Sequence, residues 1–248
     1  MAIVLDDAHL LKRTTSYGVN FTTTIDPSAD RANVEAFAQQ VRTSERHIFN
    51  KFTLGKVAPD GAPTVLLFER DILLKGVGQA HHCPLALKAN SLEITFINRM
   101  PEAPKQEIDS RDHPRDEGVD GLMKTIMRQF WEKLAVDVNR IGKVYEYIYG
   151  PFQEDSTLDW ALERFLRKPS GAELLAASGT FLFREGGYTI NLNVSPGRSA
   201  IGDVIQVRLD IANLDQTQRL ENGELADFLT FATRFHHERF KLLLGESK

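Results

Sequence analysis

Two short stretches of the sequence carry residues that could do chemistry. Residues 80–84 read AHHCP and residues 235–240 read FHHERF, so each stretch places two adjacent histidines beside another ligand or acid–base group. Imidazole, thiolate and carboxylate groups are common ligands of zinc, and they are common carriers of protons in catalysis. The spacing within each stretch decides whether either chemistry is available.

The AHHCP stretch does not have the spacing of a metal site. Zinc sites take about four ligands, commonly in separated pairs such as C-x2-C, which let the chain wrap the ion. In an extended segment His81 and Cys83 share one face and His82 lies on the other. We therefore predict no metal and no cofactor, and we expect Cys83 to be buried and inert.

The FHHERF stretch lies where a terminal helix is predicted, from about residue 222 to residue 244. His236 falls near the centre of the apolar side of this helix, with Arg239 one turn further on. His237 points about a quarter-turn away, so the two histidines cannot bind one ligand together. The apolar side consists of Leu225, Phe228, Leu229, Ala232, Phe235, Leu242 and Leu243.

His236 has two interpretations. As a structural residue, which is our expectation, its ring is largely buried and hydrogen-bonded to a backbone carbonyl or a carboxylate. As a functional residue, it lies in a cleft as a general acid–base while Arg239 holds an anionic group, as in a hydrolase or nuclease. A structure separates the two, because only the second requires both side chains to line a cleft.

Three tyrosines form the first of two candidate binding sets. Tyr145, Tyr147 and Tyr149 alternate along a predicted strand and therefore project from one face. Aromatic rings on a strand can stack nucleic-acid bases, or they can pack in a core or an interface. Lys143 and Glu146, interleaved with them, do not make a basic platform, so packing is the expected role.

Arg198 is the second candidate. It lies in SPGRSAIGD, residues 195–203, where a loop could hold an anion through backbone amides and the guanidinium group. A simple connection between strands is the expected role of this segment.

The elements that must position these residues follow from periodicity. Alternation predicts a strand in residues 16–26, two strands around a Pro-Asp-Gly turn in residues 52–71, and another strand in residues 91–100. Between them, Asp26 as N-cap and Pro27 at the first helical position predict the start of a helix.

Residues 101–120 contain three prolines and many acidic residues, which predicts a long exposed loop. The helix expected next has an apolar stripe of Val119, Leu122, Met123, Ile126, Met127, Phe130 and Leu134.

The second half repeats this order of elements. It predicts a strand at 140–150, a helix at 156–168, a hairpin at 179–194 that turns at Gly186-Gly187, a strand at 204–211 and the terminal helix. The fold class is therefore α+β, with antiparallel sheets carrying helices on one face. The chain divides into an N-terminal half, 1–135, and a C-terminal half, 136–248, which we interpret as pseudo-repeated strand-helix-strands-helix units.

The segment FWEKLAVDVNRIGKVYEYIYG is a tryptophan-containing helix followed by an Arg-Ile-Gly strand, and IQVRLDIANL leads into the histidine-bearing helix FLTFATRFHHERFKLLL. This order resembles a sporadically distributed bacterial family of uncharacterised proteins of about 250 residues. In that family the strands usually end in Tyr-Ile-Asn and Asp-Ile-Asp, whereas this chain has YEYIYG and LDIAN. The resemblance implies no reaction or ligand, and the family's patchy distribution implies a defence or toxin–antitoxin context.

Composition restricts the class of partner. The formal net charge is −4 and both signs are interspersed, so the basic stripe of a nucleic-acid binder is not evident. The single cysteine excludes an internal disulfide, and no apolar run approaches the ~20 residues of a membrane helix. We expect a cytoplasmic protein without a membrane partner.

These observations favour a non-enzymatic protein that binds another macromolecule, most of all a protein, with a homo-oligomer also open. Trp131, Trp160 and the tyrosine strand supply large amphipathic side chains of the kind enriched at interfaces. Two alternatives stay open: an enzyme that uses His236 and Arg239, and an RNA-binding module that uses the tyrosine strand.

Overall fold

The computed structural model describes residues 9–26, 28–44, 51–55, 64–74, 78–99, 116–134, 136–153, 178–200, 202–214 and 219–240, with residues 3, 5, 49, 157, 160 and 161. These residues form one antiparallel sheet with helices packed on it. The strands are β1 (Leu10–Phe21), β2 (Lys51–Leu54), β3 (Thr64–Leu74), β4 (Gly78–Lys88), β5 (Ser91–Arg99), β6 (Val138–Phe152), β7 (Gly179–Glu185), β8 (Tyr188–Ser199) and β9 (Gly202–Asn213).

The two long strands β1 and β6 lie at the centre of the sheet. The nine strands are ordered β2-β3-β4-β5-β1-β6-β9-β8-β7, so each half of the chain contributes one side. β1 and β6 pair antiparallel, with Tyr17 opposite Lys143 and Val19 opposite Ile141. The two predicted halves are therefore joined through main-chain hydrogen bonds into a single sheet.

Side chains alternate between the two faces of this sheet, as strand geometry requires. In β6 the odd-numbered residues from Ile141 to Tyr149 are buried, while the intervening residues from Gly142 to Ile148 are only partly buried. In β9 the residues Ile205, Val207 and Leu209 are buried on the same face. One face of the sheet is thus a core face, and alternate residues build an open face.

The described helices pack on the core face. They are α1 (Arg31–Ser44), α2 (Asp116–Lys133) and α3 (Asn222–Phe235), and a π-helical turn (His236–Phe240) continues α3. Phe130 of α2 contacts Phe21 of β1 at 5.5 Å and Phe37 of α1 at 5.8 Å between ring centroids. The predicted class, α+β with an antiparallel sheet and helices on one face, is confirmed for the described residues.

Helix starts are less well predicted than helix faces. The predicted start of α1 at Asp26 is wrong, because the helix begins at Arg31 and the Asp26 carboxylate instead accepts the Ser28 N–H at 2.8 Å. α2 begins at Asp116, so residues 116–120 of the predicted loop are helical. The buried faces are as predicted, with Met123, Ile126, Met127 and Phe130 all at 0% exposure.

Strand positions agree better with the sequence, although the strand predicted at 16–26 is β1, which begins at Leu10 and ends at Phe21. Gly186 and Gly187 have φ angles of 59° and 83° and join β7 to β8, as the primed hairpin turn requires. β4 was not predicted as a strand, because its Gly, His and Pro residues interrupt the apolar alternation. Of the helix predicted at 156–168, Thr157, Trp160 and Ala161 are helical. Its other residues, the Pro-Asp-Gly turn and residues 101–115 lie outside the described residues.

Candidate functional site

The terminal helix covers the central strands from the core face. Its first turn is fixed by the Glu224 carboxylate, which accepts the backbone N–H of Glu221 at 2.7 Å. Phe228 lies at 1% exposure against the Tyr188 ring, 5.5 Å away. Burial raises the pKa of the Tyr188 hydroxyl, and the neighbouring carboxylates of Asp227 and Glu224 raise it further.

His236 lies where α3 changes into the π-helical turn. Its ring stacks on Tyr145, with centroids 4.0 Å apart and planes 9° apart, and on Phe240 at 5.3 Å. A hydrogen bond joins its Nε2 to the Tyr147 hydroxyl. The residue is partly buried, and the partner of its Nε2 is a phenol, whereas a carbonyl or carboxylate partner was predicted. These contacts anchor the end of the helix to β6.

Lys143 is the charged residue of this cluster and is completely buried. Its Nζ donates a hydrogen bond to the Thr233 hydroxyl of α3 at 2.8 Å. The same nitrogen lies 4.8 Å from the ring centroid of Tyr17 and 4.9 Å from that of Tyr145. Two cation–π contacts and a hydrogen bond thus replace part of the water that the ammonium group loses on burial.

The tyrosines predicted as binding residues are core residues. Tyr145 has 0% exposure, and Tyr147 and Tyr149 have 6% each. In this conformation they offer no surface on which a nucleic-acid base could stack. Trp160 is also buried, at 6%, and Trp131 is partly buried against the core. The aromatic residues expected at an interface therefore pack inside this protein.

The two arginines of the predicted sites form ion pairs with carboxylates on the surface. Arg239 lies 3.6 Å from the Glu185 carboxylate at the end of β7, and His237 beside it is exposed. Arg198 is paired with Asp203 at 3.3 Å across the β8–β9 hairpin. The segment at 195–203 is this hairpin rather than a loop that cradles an anion.

The AHHCP stretch lies within β4. Cys83 is opposite Arg70 of β3, and His82 is opposite Ile97 of β5. The positions of these side chains lie outside the described part of the structure. Among the residues that are described, no group of three His, Cys, Asp or Glu side chains could hold a metal ion.

The open face is a polar surface that the sequence analysis did not predict. We define it by two rows that cross β1, β6, β9 and β8 side by side. The members are Lys12, Ile148, Gln206 and Ser195 in one row, and Thr14, Glu146, Arg208 and Asn193 in the next. In the sequence, polar residues at alternate positions of β8 and β9 indicate that one face of these strands is polar. Only the strand order shows that the polar residues of the four strands are neighbours.

A cavity of about 320 Å³ lies on the open face. It is lined by Lys12, Thr14, Glu146, Asn193, Gln206 and Arg208, together with neighbouring main chain. Arg208 contacts the Glu146 carboxylate at 2.7 Å and that of Asp210 at 3.9 Å. Thr14 is buried, and its hydroxyl has no hydrogen-bond partner. The cavity therefore combines amide, hydroxyl and ion-paired groups.

Comparison with known proteins does not assign the chain to a class. No protein-family model and no curated protein matches it. It aligns with the crystal structure of A. aeolicus tRNASec in complex with M. kandleri SerRS at a TM-score of 0.25 and 12% identity, over 94% of this chain. The chain spans only 32% of that structure's length.

A second solved structure, of S. pombe Pct1 RNA triphosphatase in complex with the Spt5 CTD, aligns at a TM-score of 0.13 and 10% identity. This alignment covers 96% of this chain and 81% of the other. At these scores neither likeness carries an argument about fold or function. None of the helices in the described part of the chain combines the length and apolar character needed to span a membrane.

His236 is expected to stabilise the fold. His236→Ala removes the stacking on Tyr145 and the hydrogen bond of Tyr147, and should lower the free energy of unfolding by about 1–3 kcal/mol. His237→Ala, on the exposed side, should change it by less than about 0.5 kcal/mol. Urea denaturation measures both. A His236→Ala protein as stable as the wild type would show that the stacked ring contributes nothing to the fold.

Thr233 and Lys143 are expected to be energetically coupled. Thr233→Val removes an acceptor from a buried ammonium group and should cost about 1–3 kcal/mol, whereas Thr230→Val at an exposed position should cost less than about 0.5 kcal/mol. In a Lys143→Met background the cost of Thr233→Val should fall, with a coupling energy of at least about 0.5 kcal/mol. Equal costs in the two backgrounds would contradict the coupling.

Proposed function

We propose that the protein is a non-enzymatic binding protein whose open face recognises a protein partner. The observation that supports this is the polar cavity at the centre of the open face, on the side of the sheet opposite to α1, α2 and α3. Antiparallel sheets can leave one face in water without any function. Here, however, that face carries a depression of about 320 Å³ with convergent hydrogen-bonding groups, which a solvated face does not need.

The chemistry of the cavity favours a protein over a nucleic acid. Nucleic-acid sites gain most of their affinity from cations that neutralise phosphates. Of the two cations that line the cavity, Arg208 already contacts Glu146 and Asp210. The amide group of Gln206 can both donate and accept hydrogen bonds, as the main chain of an extended peptide does. The amide of Asn193 is already bonded, donating to the Thr180 hydroxyl at 2.8 Å and accepting from Ser195 at 3.0 Å.

The same groups favour binding over catalysis. The cavity is lined by amides, hydroxyls and an ion pair, and its one serine, Ser195, bonds the Asn193 side chain at 3.0 Å. His236 lies on the core face, bonded to Tyr147. Covalent catalysis by these residues would need the base beside the nucleophile, and Ser195 and His236 are on opposite faces of the sheet.

A photo-crosslinking amino acid at position 206 tests the proposal. In native cells it should capture the same protein repeatedly, in an adduct that resists nuclease, while the same probe at exposed Thr230 of α3 should not. Gln206→Trp, which fills the cavity, should abolish capture by a probe at position 195, and Thr230→Trp should not. An adduct that nuclease digests, or equal capture at both positions, would refute a protein-binding open face.

We also infer that the two halves are structural repeats. Read outward from the central pair, one side of the sheet runs β1, β5, β4, β3 and the other runs β6, β9, β8, β7. Each strand except β2 thus has a counterpart at the same place in the other half, and α2 corresponds to α3. Superposing β1, β3–β5 and α2 on β6–β9 and α3 by a two-fold rotation tests this inference. A superposition in which the strands match but α2 does not overlay α3 would contradict it.

A further inference from the structure

The cavity of the open face is lined by a buried hydroxyl group that the chain itself does not satisfy. Thr14 is 5% exposed although it lies on the open face, and among the described residues nothing forms a hydrogen bond with its Oγ1. A hydroxyl group that leaves water without gaining a new partner destabilises the folded chain. Rotation about the Cα–Cβ bond of Thr14 presents either the hydroxyl or the methyl group to the cavity. A ligand in the cavity therefore has an unused donor to meet.

Lys12 is the second unused group of the cavity. It lies two residues before Thr14 on β1, so the two side chains share the open face, with Cα atoms about 7 Å apart. Within the described part of the chain Lys12 forms no ion pair. Arg208, the other cation that lines the cavity, contacts the Glu146 carboxylate at 2.7 Å. The charged groups that line the cavity thus leave the positive charge of Lys12 uncompensated.

Asp210 does not change this charge balance at Lys12. It lies 3.9 Å from Arg208 and outside the lining of the cavity. From Lys12 it is two strands and two rows away, which exceeds the screening length of about 8 Å at physiological salt. The free cation and the free hydroxyl group are therefore the features that a ligand of this cavity meets.

We propose that the cavity binds a carboxylate group, supplied by an aspartate or glutamate side chain of the protein partner. This inference rests on the proposed function. Lys12 supplies the opposite charge, and the Thr14 hydroxyl donates a hydrogen bond to the same carboxylate. Ile148 lies between Lys12 and Gln206 in the row and gives the methylene groups of the acidic side chain an apolar surface.

The charges of the cavity favour a carboxylate over a phosphate. A phosphoryl group carries close to two negative charges and is commonly held by the fork of an arginine. The fork of Arg208 is occupied by Glu146, whose own negative charge lines the cavity and repels a dianion more than a single charge. A carboxylate carries one charge, which Lys12 matches, and it only accepts hydrogen bonds, as the Thr14 hydroxyl requires of a partner.

The extent of the polar rows favours a side chain of a protein over a free small anion. Lys12 and Thr14 lie at one side of the cavity, on β1, and the rows continue across β6 and β9 to β8, about 14 Å away. A small anion held by Lys12 leaves the far groups without a contact. An acidic residue within a chain brings flanking main-chain groups, which the Gln206 amide can bond.

Titration with N-acetylglutamate amide tests the carboxylate site without the partner. It should shift the backbone amide NMR signals of Lys12, Thr14 and Gln206, whereas N-acetylglutamine amide, which has an amide in place of the carboxylate, should not. Lys12→Gln should abolish the shifts and Lys12→Arg should retain them. Lys124→Gln makes the same change at an exposed lysine of α2 and should have no effect. Equal shifts with both compounds, no shifts, or shifts that persist in Lys12→Gln overturn the proposal.

Thr14→Val separates a role in binding from a role in the fold. Valine has the shape of threonine without the hydroxyl group, so the midpoint of urea denaturation should stay unchanged or rise. The affinity for N-acetylglutamate amide should fall by about tenfold, because the carboxylate loses a donor. A lower urea midpoint, or an unchanged affinity, would show that the hydroxyl group does not serve this ligand.

Photo-capture by a probe at position 195 distinguishes this inference from the proposed function. Capture of the partner in native cells should fall by at least about tenfold in Lys12→Gln and return in Lys12→Arg. Unchanged capture in Lys12→Gln would overturn the carboxylate site and leave a protein-binding open face standing. Absence of capture by the otherwise unaltered chain would overturn both. Capture that is lost when cell extract is first treated with phosphatase would assign the cavity to a phosphate and overturn the carboxylate.

Discussion

The pairing of β1 with β6 is the interaction on which the rest of the structure depends. It joins strands that lie more than 100 residues apart in sequence and places them at the centre of the sheet. Because side chains alternate with a period of two, its register decides which residues of both strands face the helices. A slip of one residue would bring Glu146 under α3 and expose Lys143 and Tyr145 to water.

β6 shows how one strand serves two kinds of surface. On its core face Lys143 and the tyrosines beyond it hold the terminal helix, through Thr233 and His236. On its open face Glu146 pairs with Arg208 and contributes to the cavity. A buried ammonium group between aromatic rings fixes the position of α3 more narrowly than apolar packing alone, because its hydrogen bond requires one partner at one distance.

The surface features of the sheet have a common origin in its strand order. With the described helices all on one face, the polar residues of β1, β6, β9 and β8 meet on the other as a continuous surface. The same order leaves β7 at the end of the sheet, where Leu182 is exposed.

The sequence by itself determined the local elements whose patterns are strong. Period-two alternation located β6, β8, β9 and the second half of β1, the glycine pair located the β7–β8 turn, and an apolar stripe located α2. These patterns are local, because each depends on residues within a single helix, strand or hairpin. They also placed His236 on the apolar side of the terminal helix, although not its partner.

Only the tertiary structure decided what these elements do together. Lys143 lies on the same strand face as the tyrosines, yet its burial between Tyr17 and Tyr145 depends on the β1–β6 register. The strand order makes neighbours of Lys12, Gln206 and Ser195, which are far apart along the chain. The spacing of residues in the sequence does not indicate that their strands lie side by side. The sequence analysis therefore placed its candidate tyrosines and His236 on the core face, whereas the surface that we propose for binding is the open face. The physical reason is that strand order and register are set by long-range pairing, whereas sequence patterns report only on residues that are close along the chain.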